Sequence, residues 1–506
     1  DSGNLAGHLI ALSSALREWA ANPAVLQYGS LEGIGDTLAV LKYALNDMPN
    51  DRRTLRPLRR RLEKLIEGFT QSHRTYIAEP HLAPIRALNL VVIAADITRL
   101  ATDLDAEAAR PESGELVWWA KALQTNCEEV VGDVDSTREG LAAFAQRMSS
   151  LAERARRLAF EMDFTLLMNP EKRLLTVGYR PESQEMDRSC YDLLASEARL
   201  ASLFAIAKGD LPTEHWLRLG RPVTAIGMQA ALLSWSGSMF EYLMPPLVMH
   251  ERTGGILNAS NALAVKRQIR DGKRLGLPWG VSESAFSARD RDMNYQYHAF
   301  GSPDLALKRI PLNEHVVAPY ATLLAAQIVP AKAVANLRHL DTLGAFGPYG
   351  YFDAIDFTAS RMPEGQSHVV VRNVMAHHHG MSMVAIANAV MDGIHRERFH
   401  SDEVIRAAEL LLQEKAPREV VPLTRADNFD QRDPIDRADD PRLAISTDPA
   451  ADRRIVALLS NGRMTAQLAS TGAGPLHYDG LAVTRWRPDP TLDTGGIFLF
   501  LRDVAS

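Results

Sequence analysis

Twenty residues, Ser189 to Lys208, contain no proline or glycine and are rich in Ala, Leu, Glu and Arg, which favour helix. In helical register one face carries Leu193, Leu194, Leu200, Ala201 and Phe204. Glu197 stands in the middle of that face, three residues before Leu200 and four after Leu193. A carboxylate on a buried face must be paired or protonated. Burial raises the pKa of an acid, as a general acid working near neutral pH requires. A Glu bonded to a neighbouring Arg or to a backbone amide is the structural alternative, and this run alone leaves both open.

The chain has 506 residues, enough for two or three domains. Residues 1–162 read as helices throughout: Leu5–Ala20, Leu55–His73, Pro84–Thr102, Gly114–Glu129 and Asp135–Met162. In the second of these, Leu55, Leu58, Leu62, Leu65, Ile66 and Phe69 keep helical register, and Pro57 falls in the first turn, where a missing N–H is tolerated. Its other face (Arg56, Arg59, Arg60, Arg61, Lys64) reads as solvated. Trp118 and Trp119 read as packing. This part shows no catalytic constellation and reads as a scaffold or docking arm.

The period then changes. Phe164–Met168 and Leu174–Tyr179 read as strands joined by a turn at Asn169-Pro170-Glu171-Lys172. Helices return at Pro222–Ser234, Leu257–Leu275, Asn313–Gln327, Pro330–Leu343, Val369–Asp392 and Asp402–Leu412. Three loops between them combine aromatic rings with carboxylates and hydroxyls. They hold Trp235, Glu241 and Tyr242; Trp279 and Glu283; and Tyr349, Tyr351 and Asp353. Rings offer apolar surface to a pyranose face and polar groups bond its hydroxyls, so together these loops point to a carbohydrate site. Residues 419–454, rich in Asp, Arg and Pro, read as a linker. From 455 onward strands are expected at Ile455–Leu459, Met464–Leu468 and Gly496–Leu501, with Asn461-Gly462 as a turn.

Basic and acidic side chains, 56 and 62, are evenly spread, so no basic stripe for nucleic acid is present. Two cysteines make no disulfide framework. No apolar run is long enough to span a bilayer, so direct membrane insertion is not expected of this stretch. A chain that starts at Asp1 rather than Met is expected to be a piece of a longer protein.

From about Asp163 to Asn388 the sequence resembles the glucoamylase-like region of bacterial cyclic β-1,2-glucan synthases. The stretches that carry the resemblance are Asn169–Tyr179, Tyr191–Gly209, Ser236–Pro245, Pro278–Ser284 and Met375–Ser382. It implies a mainly α chain: an (α/α)6 barrel over 163–418, preceded by a helical connector domain over 1–162 and followed, after the linker, by the beginning of a phosphorylase-like β-sandwich over 455–506. It also implies a β-1,2-glucan substrate and no cofactor. Glycosyltransferase and phosphorylase-like parts of the same polypeptide would be its partners. The location implied is the cytoplasmic side of the bacterial inner membrane, as part of a larger membrane protein.

The activity implied is cyclisation of linear β-1,2-glucan by intramolecular transglycosylation with retention, which needs an acid/base and a nucleophile. Glu197, on its apolar face, is the expected acid/base. Glu283, between Ser282 and Ser284 and with Arg289 and Arg291 nearby in sequence, is the expected nucleophile. A helix-start role behind Ser282 is the structural alternative for Glu283. Glu241 is the rival, with Asp192, Asp290, Asp292 and Asp353 behind it. Expected substrate contacts are Asp192, Trp235, Glu241, Tyr242, Trp279, Tyr295, Tyr349, Tyr351, Asp353, His377 and His378. His377-His378-His379 is not expected to hold a metal, because consecutive helical residues do not face one another. Two other readings stay open: an inverting endo-β-1,2-glucanase and a non-catalytic glucan-holding domain.

Overall fold

The computed structural model describes residues 2–22, 29–48, 55–78, 83–108, 114–134, 138–194, 198–226, 229–415, 456–469, 474–479 and 481–484. The chain divides into two compact units, Asp1–Leu423 and Thr424–Ser506. It is mainly α, as expected.

The first unit begins with six long helices: α1 Ser2–Ala21, α2 Gly29–Asp47, α3 Leu55–Ala78, α4 Ala83–Ala108, α5 Gly114–Val134 and α6 Arg138–Phe160. Helix α2 escaped the sequence reading, since Gly29, Gly33 and Gly35 weaken its signal. Helices α2 to α5 share their own core, in which Leu62, Ile66 and Phe69 of α3 meet Leu38 and Leu41 of α2 and Leu123 of α5. The basic face of α3 is solvated at Arg56, Arg60, Arg61 and Lys64, while Arg59 turns to Glu63 and to the Met48 carbonyl.

Two small hairpins follow: β1 Met168–Asn169 with β2 Leu174–Leu175, then β3 Tyr179–Arg180 with β4 Glu185–Met186. The Asn169 side chain closes the first turn by accepting from the Glu171 and Lys172 amides. The expected helix over 189–208 is shorter, α7 Ala198–Lys208. Residues 189–194 run beside β2 instead. There the Ser189 carbonyl accepts from Val177 N–H, Tyr191 N–H donates to Leu175, and Asp192 caps the Leu194 amide. Backbone groups committed to a neighbouring strand cannot also form a helix ladder.

Beyond α7 come α8 Glu214–Arg218 and a hairpin of β5 Val223–Ile226 and β6 Gln229–Leu232. The hairpin replaces the helix expected at 222–234. Val223, Thr224 and Ile226 are β-branched and pair in register with the returning strand. Then come α9 Met239–Leu243, α10 Ile256–Leu275, a hairpin of β7 Ser284–Arg289 and β8 Tyr295–His298, β9 Val316–Val317, α11 Pro319–Ala325 and α12 Pro330–Thr342. A small hairpin of β10 Phe346–Gly347 and β11 Gly350–Tyr351 leads to β12 Ala354–Asp356 and β13 Val369–Val371. Helices α13 Ala376–Val390, α14 Ile394–His400 and α15 Glu403–Ala408 close the unit. The helices expected at 313–327 and 369–392 are each preceded by a strand, because Val316-Val317 and Val369–Val371 join β12 in one antiparallel sheet.

One core joins the first helix to the later ones. Ala6, Ile10 and Ala11 of α1 pack with Leu200, Leu203 and Phe204 of α7 and with Leu243, Leu247 and Phe399. Complete burial of a side chain such as Phe204 stabilises by roughly 2–3 kcal/mol. The crossing of α1 and α7 depends on two glycines. A Cβ on Gly3 would lie 2.5 Å from the Ala201 nitrogen, and one on Gly7 would lie 2.9 Å from Leu200. Beneath α7, Arg199 is fully buried beside Glu251, with 3.1 Å between them.

In the second unit the described residues form a four-stranded antiparallel meander: β14 Val456–Ser460, β15 Met464–Ala469, β16 Leu476–Tyr478 and β17 Leu481–Ala482. The turn at Asn461-Gly462 is as expected: Gly462 has φ 86° and the Asn461 side chain accepts from two amides beyond it. The expected linker 419–454 and the strand at 496–501 lie outside the described residues.

Candidate active site

Five side chains from separate elements converge where β7 begins. Glu283 sits half-buried at the bend that enters β7. The hydroxyl of Ser282 before it is fixed from two sides, accepting from Phe240 N–H at 2.9 Å and from Tyr320 Oη–H at 2.8 Å. Tyr320, in the first turn of α11, also reaches the Glu283 carbonyl at 2.9 Å. Tyr297 comes from β8, paired in register with Ala285 of β7. Asp353 precedes β12, and His378 lies in the first turn of α13. A bend leading into a strand, rather than a helix start, therefore holds Glu283.

His378 is the hub. Its Nδ1 lies 2.5 Å from Asp353 Oδ1, and its Nε2 lies 3.3 Å from the Tyr297 hydroxyl. Its ring stacks on Tyr320 with centroids 3.7 Å apart and planes 10° from parallel. The other Asp353 oxygen accepts from Ala285 N–H at 2.7 Å, which ties the aspartate to the strand that follows Glu283. Burial first, then the charge of Glu283, pushes both the Tyr297 and Tyr320 phenols above their usual range, and Asp353 adds to the effect on each. Both hydroxyls therefore stay protonated as donors through the neutral range. His377, ring to ring with His378 at 4.1 Å, is held below the usual histidine value by burial and then by His378. A pocket of about 150 Å³ opens beside the hub, lined by Tyr320, Tyr351, Asp353, His378, His379 and Met383.

Of the residues singled out from sequence, Glu283, Asp353, His377 and His378 are brought together, and Tyr351 lines the adjoining pocket. Glu197 lies outside the described residues. Glu241 is buried inside its own loop as half of a capping box. Its carboxylate accepts from the hydroxyls of Ser234, Ser236 and Ser238 and from the amides of Ser236 and Ser238, which corrects its reading as a substrate contact. Tyr242 is likewise a core residue, its hydroxyl donating to the Leu232 and Leu305 carbonyls. Trp279 is buried in the main core, where its backbone is held by Asn336. Asp192 caps the Leu194 amide. Trp235 and Tyr349 are exposed.

Tyr295 pairs with Arg289 at the far end of the hairpin, 2.7 Å from the guanidinium. Six residues of extended strand, about 20 Å, separate Arg289 from Glu283, so Arg289 does not support that carboxylate. Asp290 closes the hairpin turn by accepting from Asn294 N–H, and Arg291 and Asp292 are exposed beside it.

Sequence reasoning missed Tyr297 and Tyr320. Alternation along β8 puts Tyr295 and Tyr297 on one face, and only distance along the hairpin separates them. Tyr320 was hidden by the helix expected to start at Asn313, which would place it in mid-helix. A roomier groove of about 770 Å³ lies between α2 and α3, lined by Lys42, Glu63, Lys64, Glu67 and Arg74 among others. It has mixed charge and no aromatic ring, so it offers nothing to a pyranose face.

Residues 189–403 match the family described as putative glucoamylase, and residues 440–506 match the supersandwich domain of glycosyl hydrolase 94. Over 508 aligned residues the chain is 54% identical to cyclic beta-(1,2)-glucan synthase NdvB of Rhizobium meliloti, and the match takes in all of this chain. The chain spans 18% of that relative's length. Among solved structures, endo-beta-1,2-glucanase from Talaromyces funiculosus with sophorose is similar at a TM-score of 0.38 and 12% identity, covering 81% of this chain and 97% of that one. A variant of the same glucanase with beta-1,2-glucan gives 0.37 and 13%, covering 77% and 82%.

Proposed function

From the premise that this chain carries the glucoamylase-like region of a cyclic β-1,2-glucan synthase, we propose that it closes linear β-1,2-glucan into rings by intramolecular transglycosylation with retention. The observation that carries the reading is the setting of Glu283, whose charge bears on two protonated phenols beside the Asp353–His378 pair. Glu283 is the nucleophile in this proposal, and Glu197, on sequence grounds, the acid/base. Glu283 attacks the anomeric carbon of one glucosyl unit while Glu197 protonates the departing oxygen, and a covalent glycosyl-enzyme forms. Glu197, now ionised, takes the proton of a hydroxyl at the nonreducing end of the same chain. That oxygen displaces Glu283 and closes the ring, so two inversions give net retention.

Tyr297, Tyr320, His378 and Asp353 around Glu283 do the positioning. With His378 Nδ1–H donating to Asp353, Nε2 accepts from Tyr297 and orients its oxygen. Asp353 is the second carboxylate acting on the two phenols, but both its oxygens are engaged, by His378 and by the Ala285 amide. That speaks against Asp353 as the water-activating base of an inverting glucanase.

In this reading the helices from α7 onward build an (α/α)6 barrel. The module works beside glycosyltransferase and phosphorylase-like parts of one polypeptide, on the cytoplasmic side of the inner membrane. Among the described residues no helix is long and apolar enough to cross a membrane.

The test is a product assay with linear β-1,2-glucan, analysed by mass, on the wild-type chain, Glu197→Gln and Glu283→Gln. Cyclic products, lighter by one water than linear glucans of equal length and lost in both variants, are expected. Shorter linear glucans alone would replace cyclisation with hydrolysis, and untouched substrate would overturn the reading for this chain.

A further inference from the structure

Aromatic surface continues outward from the candidate site along the β10–β11 hairpin. Gly350 and Tyr351 line the pocket beside His378. On the same hairpin Phe346 is 59% exposed and lies edge-on to Tyr351, with centroids 5.1 Å apart. Tyr349, at its tip, is 43% exposed. Facing it across the surface is α5, whose Trp119 stacks on Tyr349 at 6.2 Å and 30°. Trp118 packs edge-on against Trp119 at 4.5 Å and is itself 60% exposed. The two tryptophans read from sequence as packing thus divide their work: Trp119 leans on the bundle core and Trp118 faces water. Glu115 and Lys121, one turn to either side of Trp118 on α5, are also exposed.

We infer that Trp118, Trp119, Tyr349 and Phe346 form a shelf that holds a distal stretch of the same glucan chain whose cleaved unit sits at Glu283. The inference rests on the proposed function and adds to it a binding site built by the helical arm. Pyranose rings present apolar C–H faces that stack on aromatic rings, and flanking charges bond the outward hydroxyls. A β-1,2-linked chain is the occupant because the shelf is continuous with the pocket, through a hairpin of six residues that touches both. Ring closure supplies the need, since the far end of a long, flexible chain must be kept close to the cleaved end for one to attack the other. The shelf therefore favours long chains over short ones.

The experiment is affinity electrophoresis of the full 506-residue chain in gels cast with linear β-1,2-glucan. Every protein carries Glu283→Gln, so that nothing is consumed. The Glu283→Gln chain is expected to be retarded. Adding Trp118→Ala or Tyr349→Ala is expected to weaken apparent affinity about tenfold, with a smaller loss toward a disaccharide competitor. Equal retardation of all three proteins, or none of any, overturns the shelf. So does self-association that Trp118→Ala abolishes, which would assign the patch to a second copy of the chain. Turnover of glucan by the wild-type chain, measured separately, judges the proposed function. A chain that cyclises glucan but binds it equally in all variants keeps the function and loses the shelf. A chain that binds through Trp118 but turns nothing over keeps the shelf and loses the function. Trp118 is exposed, so its truncation leaves the bundle core intact.

Discussion

His378 Nδ1 lies 2.5 Å from Asp353 Oδ1, and both side chains are buried. The pair links α13 to the segment that leads into β12, which the Ala285 amide ties in turn to the strand after Glu283, and it fixes which imidazole nitrogen faces the Tyr297 hydroxyl. Asp353→Asn keeps the shape and can still accept from the Ala285 amide. It removes the charge that holds the tautomer. The expected result is a kcat on linear β-1,2-glucan lower by about 10²-fold, with KM nearly unchanged. Steady-state kinetics on chains matched for thermal stability check this, and an unaltered kcat would remove the pair from the mechanism.

Tyr297→Phe deletes the hydroxyl that His378 orients. A loss of about tenfold or more in kcat is expected, because the bond that ties the His378 ring to the phenol beside Glu283 is lost. The pH profile carries a second expectation. Both Tyr297 and Tyr320 are raised above the ordinary phenol value of 10.0, so neither produces an alkaline limb below that pH. Stability follows the same sign. Above pH 10.0 the unfolded chain releases phenol protons that the folded chain still holds, so stability falls as pH rises beyond that point. An activity limb near pH 9 that disappears in Tyr297→Phe would contradict this assignment.

The difference between what the sequence disclosed and what it concealed is physical. Long helices such as α3 and α10 repeat their apolar positions over several turns, so period alone reveals them. Short elements whose partners are remote in sequence do not reveal themselves this way. Val316-Val317 looks helical until β12 supplies a pairing partner, and residues 189–194 carry helix-forming side chains but spend their amides on β2 and Gly220. The site behaves alike. Glu283 and His378 stood out through aromatic and histidine-rich surroundings. Glu241 stood out for the same reason, yet three serines of its own loop consume it. Composition cannot distinguish a carboxylate aimed at substrate from one aimed at its own backbone.

Glu241→Gln makes that distinction measurable. The carboxylate is an acceptor surrounded by hydroxyl and amide donors. A glutamine would turn an N–H₂ toward donors and leave at least one buried group unpaired, at about 2–3 kcal/mol. The variant is expected to melt several degrees lower, while kcat per folded molecule stays near wild type. Differential scanning calorimetry alongside active-site-normalised kinetics separates the two. A large fall in kcat without a fall in Tm would return Glu241 to the reacting groups.

Acid should loosen the contact between α1 and α14. His8 Nδ1 and His395 Nε2 lie 2.9 Å apart, a bond that requires one nitrogen to be an unprotonated acceptor. Burial lowers both histidines, and His8 and Arg398 depress His395 further, to about 4. Arg398 is itself paired with Glu18 of α1 at 2.8 Å, so the cation beside His395 is held in place. The sign is that of a base with a depressed folded value. The unfolded chain binds protons from the ordinary 6.5 downward and the folded chain does not, so stability is full above 6.5 and is lost as pH falls toward 4. The pair is expected to account for about 1–3 kcal/mol of that loss. Other lowered histidines, His215 and His400 among them, add their own share, so the informative quantity is a difference between proteins. His395→Gln, which can still bond His8, should flatten the fall in Tm between pH 7 and pH 4.5 relative to wild type. Parallel Tm profiles for the two proteins would show that the α1–α14 contact does not sense pH through this pair.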